Sequence, residues 1–231
     1  MARALDLAAR ARGLTSPNPM VGAVVERYGE IVGEGYHRRA GDNHAEIEAL
    51  SAAGERAKGA TLYVTIEPCA HQGRTPPCVP SVLAAGISRV VVAVRDPNPK
   101  VSGRGVEALR AAGCLVTLGV MEAEALTLNR PFFTYMLERR PLVTLKAAVT
   151  LDGKIAAWDR NSRWITGEAA RLEAHKLRAH SDAVAVGIGT VLQDDPELSV
   201  RLPEPWPREP YRVVVDSACR TPVEARLLSS G

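Results

Sequence analysis

Short runs of β-branched residues recur through the first half of the chain, each parted from the next by a stretch of helical spacing that stops at a glycine. ATLYVTI at 60–66 and RVVVAV at 89–94 are continuous apolar runs, as strands are when both faces of their sheet are covered. CLVTLGV at 114–120 reads as a third strand. Between them, HAEIEALSAAG closes at Gly54, CVPSVLAAG begins after Pro76-Pro77, and GRGVEALRAAG closes at Gly113. Upstream, MVGAVVE and EIVGEGYH read as two strands joined by the tight RYGE turn. A helix ending at Gly13 precedes them, and one long helix is expected from Met121 to Arg139. This alternation predicts an α/β domain whose partly parallel sheet carries helices on both faces.

After ERRP the pattern restarts, which places a domain boundary near Arg140-Pro141 and divides the chain into 1–140 and 141–231. LVTLKAAVT at 142–150 is expected to be a strand, GEAARLEAHKLRAH an amphipathic helix, and DAVAVGI and YRVVVD two more strands. So few strands leave an open sheet edge, so this second segment reads as only part of an α/β domain.

The 231 residues are 46% hydrophobic and 24% charged with a net charge of +3, the balance of a globular protein. Neither segment has the dense basic run of a nucleic-acid groove or a membrane-surface helix. Arginines interrupt every candidate apolar stretch of MARALDLAARARGLTSPNP, so it does not read as a signal peptide, and no run is long enough to span a bilayer. A cytoplasmic protein is expected, with a small-molecule partner, no nucleic acid and no membrane. In that compartment thiols stay reduced, so two of the four cysteines held in one loop point to metal or catalysis ahead of a cross-link.

That loop is EPCAHQGRTPPC at 67–78, with Cys69 near its start and Cys78 at its end, where a helix begins. HAE supplies His44 and Glu46 at the start of an earlier helix. One imidazole and two thiolates make the three-ligand set of a catalytic zinc, with a fourth position left to water. Zinc lowers the pKa of such a water toward neutrality, and a carboxylate that is not a ligand must then move protons, the role Glu46 is placed for. Zinc nucleobase deaminases carry H-x-E followed by P-C-x-x-C. HAE and EPC match that signature, but eight residues separate the two cysteines instead of two. The bland alternatives are first-turn surface groups favoured by the helix dipole, core thiols, or a structural zinc with His71 as fourth ligand. The joint pattern favours the catalytic site. Cys114, in an apolar strand, reads as an ordinary buried thiol.

TSPNPMVGAVV, GEGYH, HAE, YVTIEPCAHQGRTPPC and DPNPKVSGRG together resemble the deaminase domain of bifunctional riboflavin-biosynthesis deaminase/reductases. LKAAVTLDGKIA, SRWITGEAAR, LRAHSDAVAVGIGTVLQDDPELSVR and YRVVVDS resemble the start of that family's reductase domain. The resemblance implies a cytidine-deaminase-like three-layer α/β/α domain followed by part of a dihydrofolate-reductase-like α/β domain. It implies one Zn2+ in the deaminase domain, NADPH in the reductase domain, a pyrimidine nucleotide as substrate, and a homo-oligomer, a dimer. The family's reductase domain continues well beyond the equivalent of Gly231.

By motif position the metal would be held by His44, Cys69 and Cys78, with Glu46 catalytic. Asn18 would hydrogen-bond the substrate ring, and His37, His71 and Arg74 would meet its phosphate. Asn18 between two prolines is equally a turn residue, and the other three have plain surface readings. In the second segment Ala148, Trp164, Thr190 and Asp194 would lie against NADPH, and Ser162, Arg178, Leu198 and Arg201 against the substrate. Residue type alone makes Trp164 a packing anchor, and only the resemblance marks this segment as a reductase. A deaminase with a purely structural second segment, and a nucleic-acid deaminase, are the rival readings. The 4% aromatic content offers no base-stacking surface, which weighs against the second rival.

Overall fold

The structure is a computed structural model that describes residues 1–73, 76–99, 101–159 and 161–229. It divides into two compact units, Met1–Leu142 and Val143–Gly231.

In the first unit, helix α1 (Ala2–Ala9) precedes strands β1 (Gly22–Arg27) and β2 (Glu30–Tyr36). Then come α2 (Ala45–Ala53), β3 (Thr61–Ile66), α3 (Cys78–Ala84), β4 (Arg89–Val94), α4 (Arg104–Ala111) and β5 (Leu115–Leu118). Helices α5 (Glu122–Leu128) and α6 (Arg130–Glu138) close the unit. The sheet runs β2-β1-β3-β4-β5, antiparallel across β2-β1-β3 and parallel across β3-β4-β5. Helices α2, α3 and α4 pack together along one face, and α1 and α5 along the other, which makes three layers.

Alternation along the strands fills both layers. Leu62, Val64, Val90 and Val92 join Ala49, Val82 and Leu109 in one fully buried core. Ala93 and Val94 meet Leu5, Ala125 and Phe133 on the other side. At roughly 25 cal/mol per Å2 of apolar surface removed from water, such burial is the main force holding the layers together.

The position of α2 is set by two glycines. A Cβ on Gly33 would stand 2.2 Å from the Ala49 carbonyl oxygen, and one on Gly35 would stand 2.6 Å from the Ala49 nitrogen. The helix backbone rests directly on β2, and only residues without a side chain admit it.

Two expectations need correction. The stretch from Met121 to Arg139 is two helices, because Asn129 leaves the helical path between them and Pro131 sits in the first turn of α6. LVTLKAAVT forms no strand, since its backbone finds no ladder partner among the described residues.

In the second unit, α7 (Glu168–Ala179), β6 (Ala183–Gly187), α8 (Ile188–Asp194), β7 (Tyr211–Val215) and α9 (Arg226–Ser229) follow in order. β6 and β7 pair in parallel as a two-stranded sheet. Ile188, Val191, Ala225 and Leu227 form the small core beneath it. Among the described residues, no helix is long and apolar enough to cross a membrane.

Candidate active site

The end of the first-unit sheet where parallel β3 and β4 finish is where an open α/β sheet offers a crevice, and the cysteine loop leaves β3 there. His44 is the N-cap of α2, with extended backbone at φ −72° and ψ 157°. Its ring makes no capping bond and turns to the two sulfurs instead. Nδ1 lies 3.2 Å from Cys78 Sγ and 3.6 Å from Cys69 Sγ. Cys78 opens α3, and its backbone N–H donates to Cys69 Sγ at 3.3 Å. All three ligand atoms lie within 4.8 Å of one another. A tetrahedral zinc with ordinary Zn–N and Zn–S bonds separates nitrogen from sulfur by roughly 3.6 Å, so the residues fit that ion.

The two sulfurs shift in opposite directions. The hydrogen bond from the Cys78 side chain, helped by His44 and the Cys78 N–H, pulls the Cys69 thiol down to about 4. Sharing with Cys69 and burial push the Cys78 thiol up in turn. His44 is raised, first by its bond to Cys69. Glu46, in the first turn of α2, is only 3% exposed. Burial raises its carboxyl to about 7, against the opposing pull of its own backbone N–H and of His44. It therefore exchanges a proton near neutral pH.

The other expected first-unit residues fall in different places. His37 is buried, with its ring 5.4 Å from that of His44, centroid to centroid. Both its nitrogens are engaged: Nδ1 with the Asn43 carbonyl at 3.0 Å and Nε2 with the Asn18 amide at 3.0 Å. The carbonyl can only accept, so Nδ1 carries the proton and Nε2 accepts from Asn18. Burial lowers the pKa of His37, keeping the ring neutral. Asn18 and His37 thus face each other. His71 follows Cys69 in the loop, and its buried Nδ1 has no hydrogen-bond partner among the described residues. Arg74 lies outside the described residues.

Asn129 gives no local signal in the sequence. Asn129 is 2% exposed and clamps Met20 twice, accepting from its N–H at 2.8 Å and donating to its carbonyl at 2.9 Å. It anchors the segment that carries Asn18 from 109 residues away. Asp96, just past β4, has its carboxyl raised to about 6, chiefly by burial and then by Glu67.

In the second unit Ser162, Trp164, Arg178, Asp194, Leu198 and Arg201 line one cavity of about 250 Å3. Ala148 and Thr190 do not line it. Arg178 Nη1 donates to the Ser199 carbonyl at 2.5 Å, and Arg201 Nη1 to Glu197 at 2.9 Å. Burial and the neighbouring Arg201 lower the Arg178 pKa. The Arg171 guanidinium lies 4.4 Å over the Trp164 ring. Asp195 and Leu198 bracket the turn at the cavity with φ of +40° and +56°, a backbone region that non-glycine residues enter at a cost. A larger groove of about 390 Å3 between α1 and α5 holds none of the candidate residues.

Residues 1–94 match the family model described as cytidine and deoxycytidylate deaminase zinc-binding region, and residues 141–231 match the RibD C-terminal domain. The riboflavin biosynthesis protein RibD of Aquifex aeolicus is 54% identical over 230 residues, which cover 100% of this chain and 64% of the relative. Along its whole length the chain is similar to RibD proteins. A solved RibD structure from Acinetobacter baumannii superposes with a TM-score of 0.94 at 46% identity, covering 99% of this chain and 65% of that one. A diaminohydroxyphosphoribosylaminopyrimidine deaminase/5-amino-6-(5-phosphoribosylamino)uracil reductase from Thermotoga maritima superposes at 0.92 with 45% identity, covering 98% and 65%. The chain thus spans just under two thirds of the length of these RibD relatives. The two family models account for both units, a cytidine-deaminase-like domain and a reductase-like α/β domain.

Proposed function

We propose that this chain deaminates 2,5-diamino-6-(5-phosphoribosylamino)pyrimidin-4-one by hydrolysis in its first unit, with Zn2+ held by His44, Cys69 and Cys78. The observation that carries this reading is the buried Glu46 carboxyl beside three converging ligand atoms. When bound there, zinc would lower the pKa of a water toward neutrality. A Glu46 carboxylate oxygen takes the proton of the attacking water, then gives it to the departing exocyclic nitrogen, which leaves as ammonia. One carboxyl serves both transfers, changing state twice per turnover. Asn18, held by His37, presents its amide oxygen to the ring, and His71 and Arg74 suit the phosphate.

For the second unit we propose NADPH-dependent reduction of the ribosyl group to ribityl. Six of the eight residues expected there share one cavity, and among them Arg178 suits contact with a phosphorylated sugar. Trp164 and Asp194 would meet the cofactor, as would Ala148 and Thr190 from outside the cavity. All four cysteines are free thiols, which suits a reducing cytoplasm. We further propose that the chain pairs as a homodimer, as its resemblance to bifunctional deaminase/reductases implies.

Ammonia release by the zinc-loaded protein tests the first assignment. Glu46→Gln should keep the metal and lose at least about 100-fold in rate, the usual scale of general acid–base catalysis. A variant that turns over at the rate of the parent chain would contradict the role given to Glu46.

A further inference from the structure

Two residues before Cys69, where β3 gives way to the cysteine loop, Glu67 is a carboxylate with 4% of its surface exposed. Its backbone N–H still belongs to the sheet and donates to the Val94 carbonyl at 3.1 Å. Its side chain does something else. Oε2 accepts from the Gly103 N–H at 2.9 Å, and Oε1 accepts from the Val106 N–H at 3.0 Å.

Gly103 and Val106 are the N-cap and third residue of α4. The first N–H groups of a helix have no partner within it, and a Ser, Thr, Asp or Asn at the N-cap normally serves them. Gly103 has no side chain, sits at φ +80° and makes no cap bond of its own. Glu67 therefore supplies the cap from a distant strand, with its negative charge against the positive end of the helix. A buried carboxylate is costly without donors, and here both oxygens have one. The two segments also touch directly: a Cβ on Gly105 would stand 2.0 Å from the Pro68 carbonyl oxygen. Pro68 is the residue between Glu67 and Cys69.

We propose that Glu67 is a positioning residue of the metal centre: by fastening the start of α4 to the Glu67-Pro68-Cys69 turn, it sets where the Cys69 sulfur stands. The inference rests on the reading of His44, Cys69 and Cys78 as metal ligands. Neutral Gln in place of Glu keeps the shape but turns one acceptor into an NH2 group, which faces a backbone N–H donor and repels it. One of the two anchors is lost, and the turn that carries Cys69 moves with it.

The test is zinc affinity, read by chelator competition on the folded chain. The parent chain should take up one zinc, which checks the ligand assignment separately. Glu67→Gln should then bind zinc roughly 10- to 100-fold more weakly, the scale seen when a group that orients a metal ligand is altered. Glu67→Asp keeps the charge but is one methylene short, so it should lose less, and it serves in place of Gln if that variant does not fold. Leu109→Ala removes a fully buried side chain of α4 and lowers stability without touching the anchor, so it should keep the parent affinity. Backbone hydrogen exchange at Gly103 and Val106 should accelerate in Glu67→Gln. Unchanged zinc affinity in a folded Glu67 variant, or an equal loss in Leu109→Ala, would overturn the proposal.

Discussion

At the scale of single residues, burial decides the chemistry of the carboxyl groups. Glu46 and Asp96 both stand above the ordinary carboxylate range for that reason, whereas buried Glu67 has two backbone donors on its oxygens. Asp96 permits a check that needs no turnover. Its carboxyl sits at about 6 in the folded chain against an ordinary 3.8. The folded state therefore holds a proton that the unfolded state releases between those values, and the stability Asp96 contributes is lost as pH rises through that window. Asp96→Asn should flatten this part of the pH dependence and leave the chain more resistant to urea near pH 7 than its parent. Unfolding midpoints at about pH 4 and about pH 7 measure the slope. If both proteins change in parallel, burial of Asp96 does not raise its pKa. Asn129 and the capping role of Glu67 were illegible in the sequence because each acts on residues distant along the chain. His44, Glu46, Cys69 and Cys78 were conspicuous as a pattern because the helix starts and the loop that carry them are themselves written in local residues.

At the scale of elements, the strands and helices of the first unit follow their own periodicity closely, and the departures come from tertiary structure. Asn129 occupies a position that helical spacing alone would keep in a helix, and its bonds to Met20 outweigh that preference. LVTLKAAVT has the composition of a strand, but a strand exists only with a neighbour to pair with. The contact of α2 with β2 is the element-scale feature on which the site most depends, because α2 carries His44 and Glu46. Gly35→Ala would place a Cβ 2.4 Å from that of Glu48. The helix must then shift away from the strand, at an expected cost of about 1–3 kcal/mol in unfolding free energy. Zinc affinity should fall in the same variant, since His44 moves with the helix. Denaturant unfolding together with metal titration checks both effects. Parent-like values for both would mean that α2 is not held where the glycines place it.

At the scale of the whole molecule, each unit has its own core and its own candidate site, and relatives such as the Aquifex aeolicus protein match across both. The two proposed reactions act on different parts of the substrate: hydrolysis changes the pyrimidine ring, and hydride transfer changes the sugar. The most direct measurement is the mass of the product formed from the diaminopyrimidinone phosphoriboside by zinc-loaded protein, with and without NADPH. Without NADPH the product should show one amino group exchanged for oxygen, and with NADPH it should carry two further hydrogens. Substrate returned unchanged by protein that holds zinc would contradict the central claim, that the His44, Cys69, Cys78 and Glu46 cluster is a pyrimidine deaminase site.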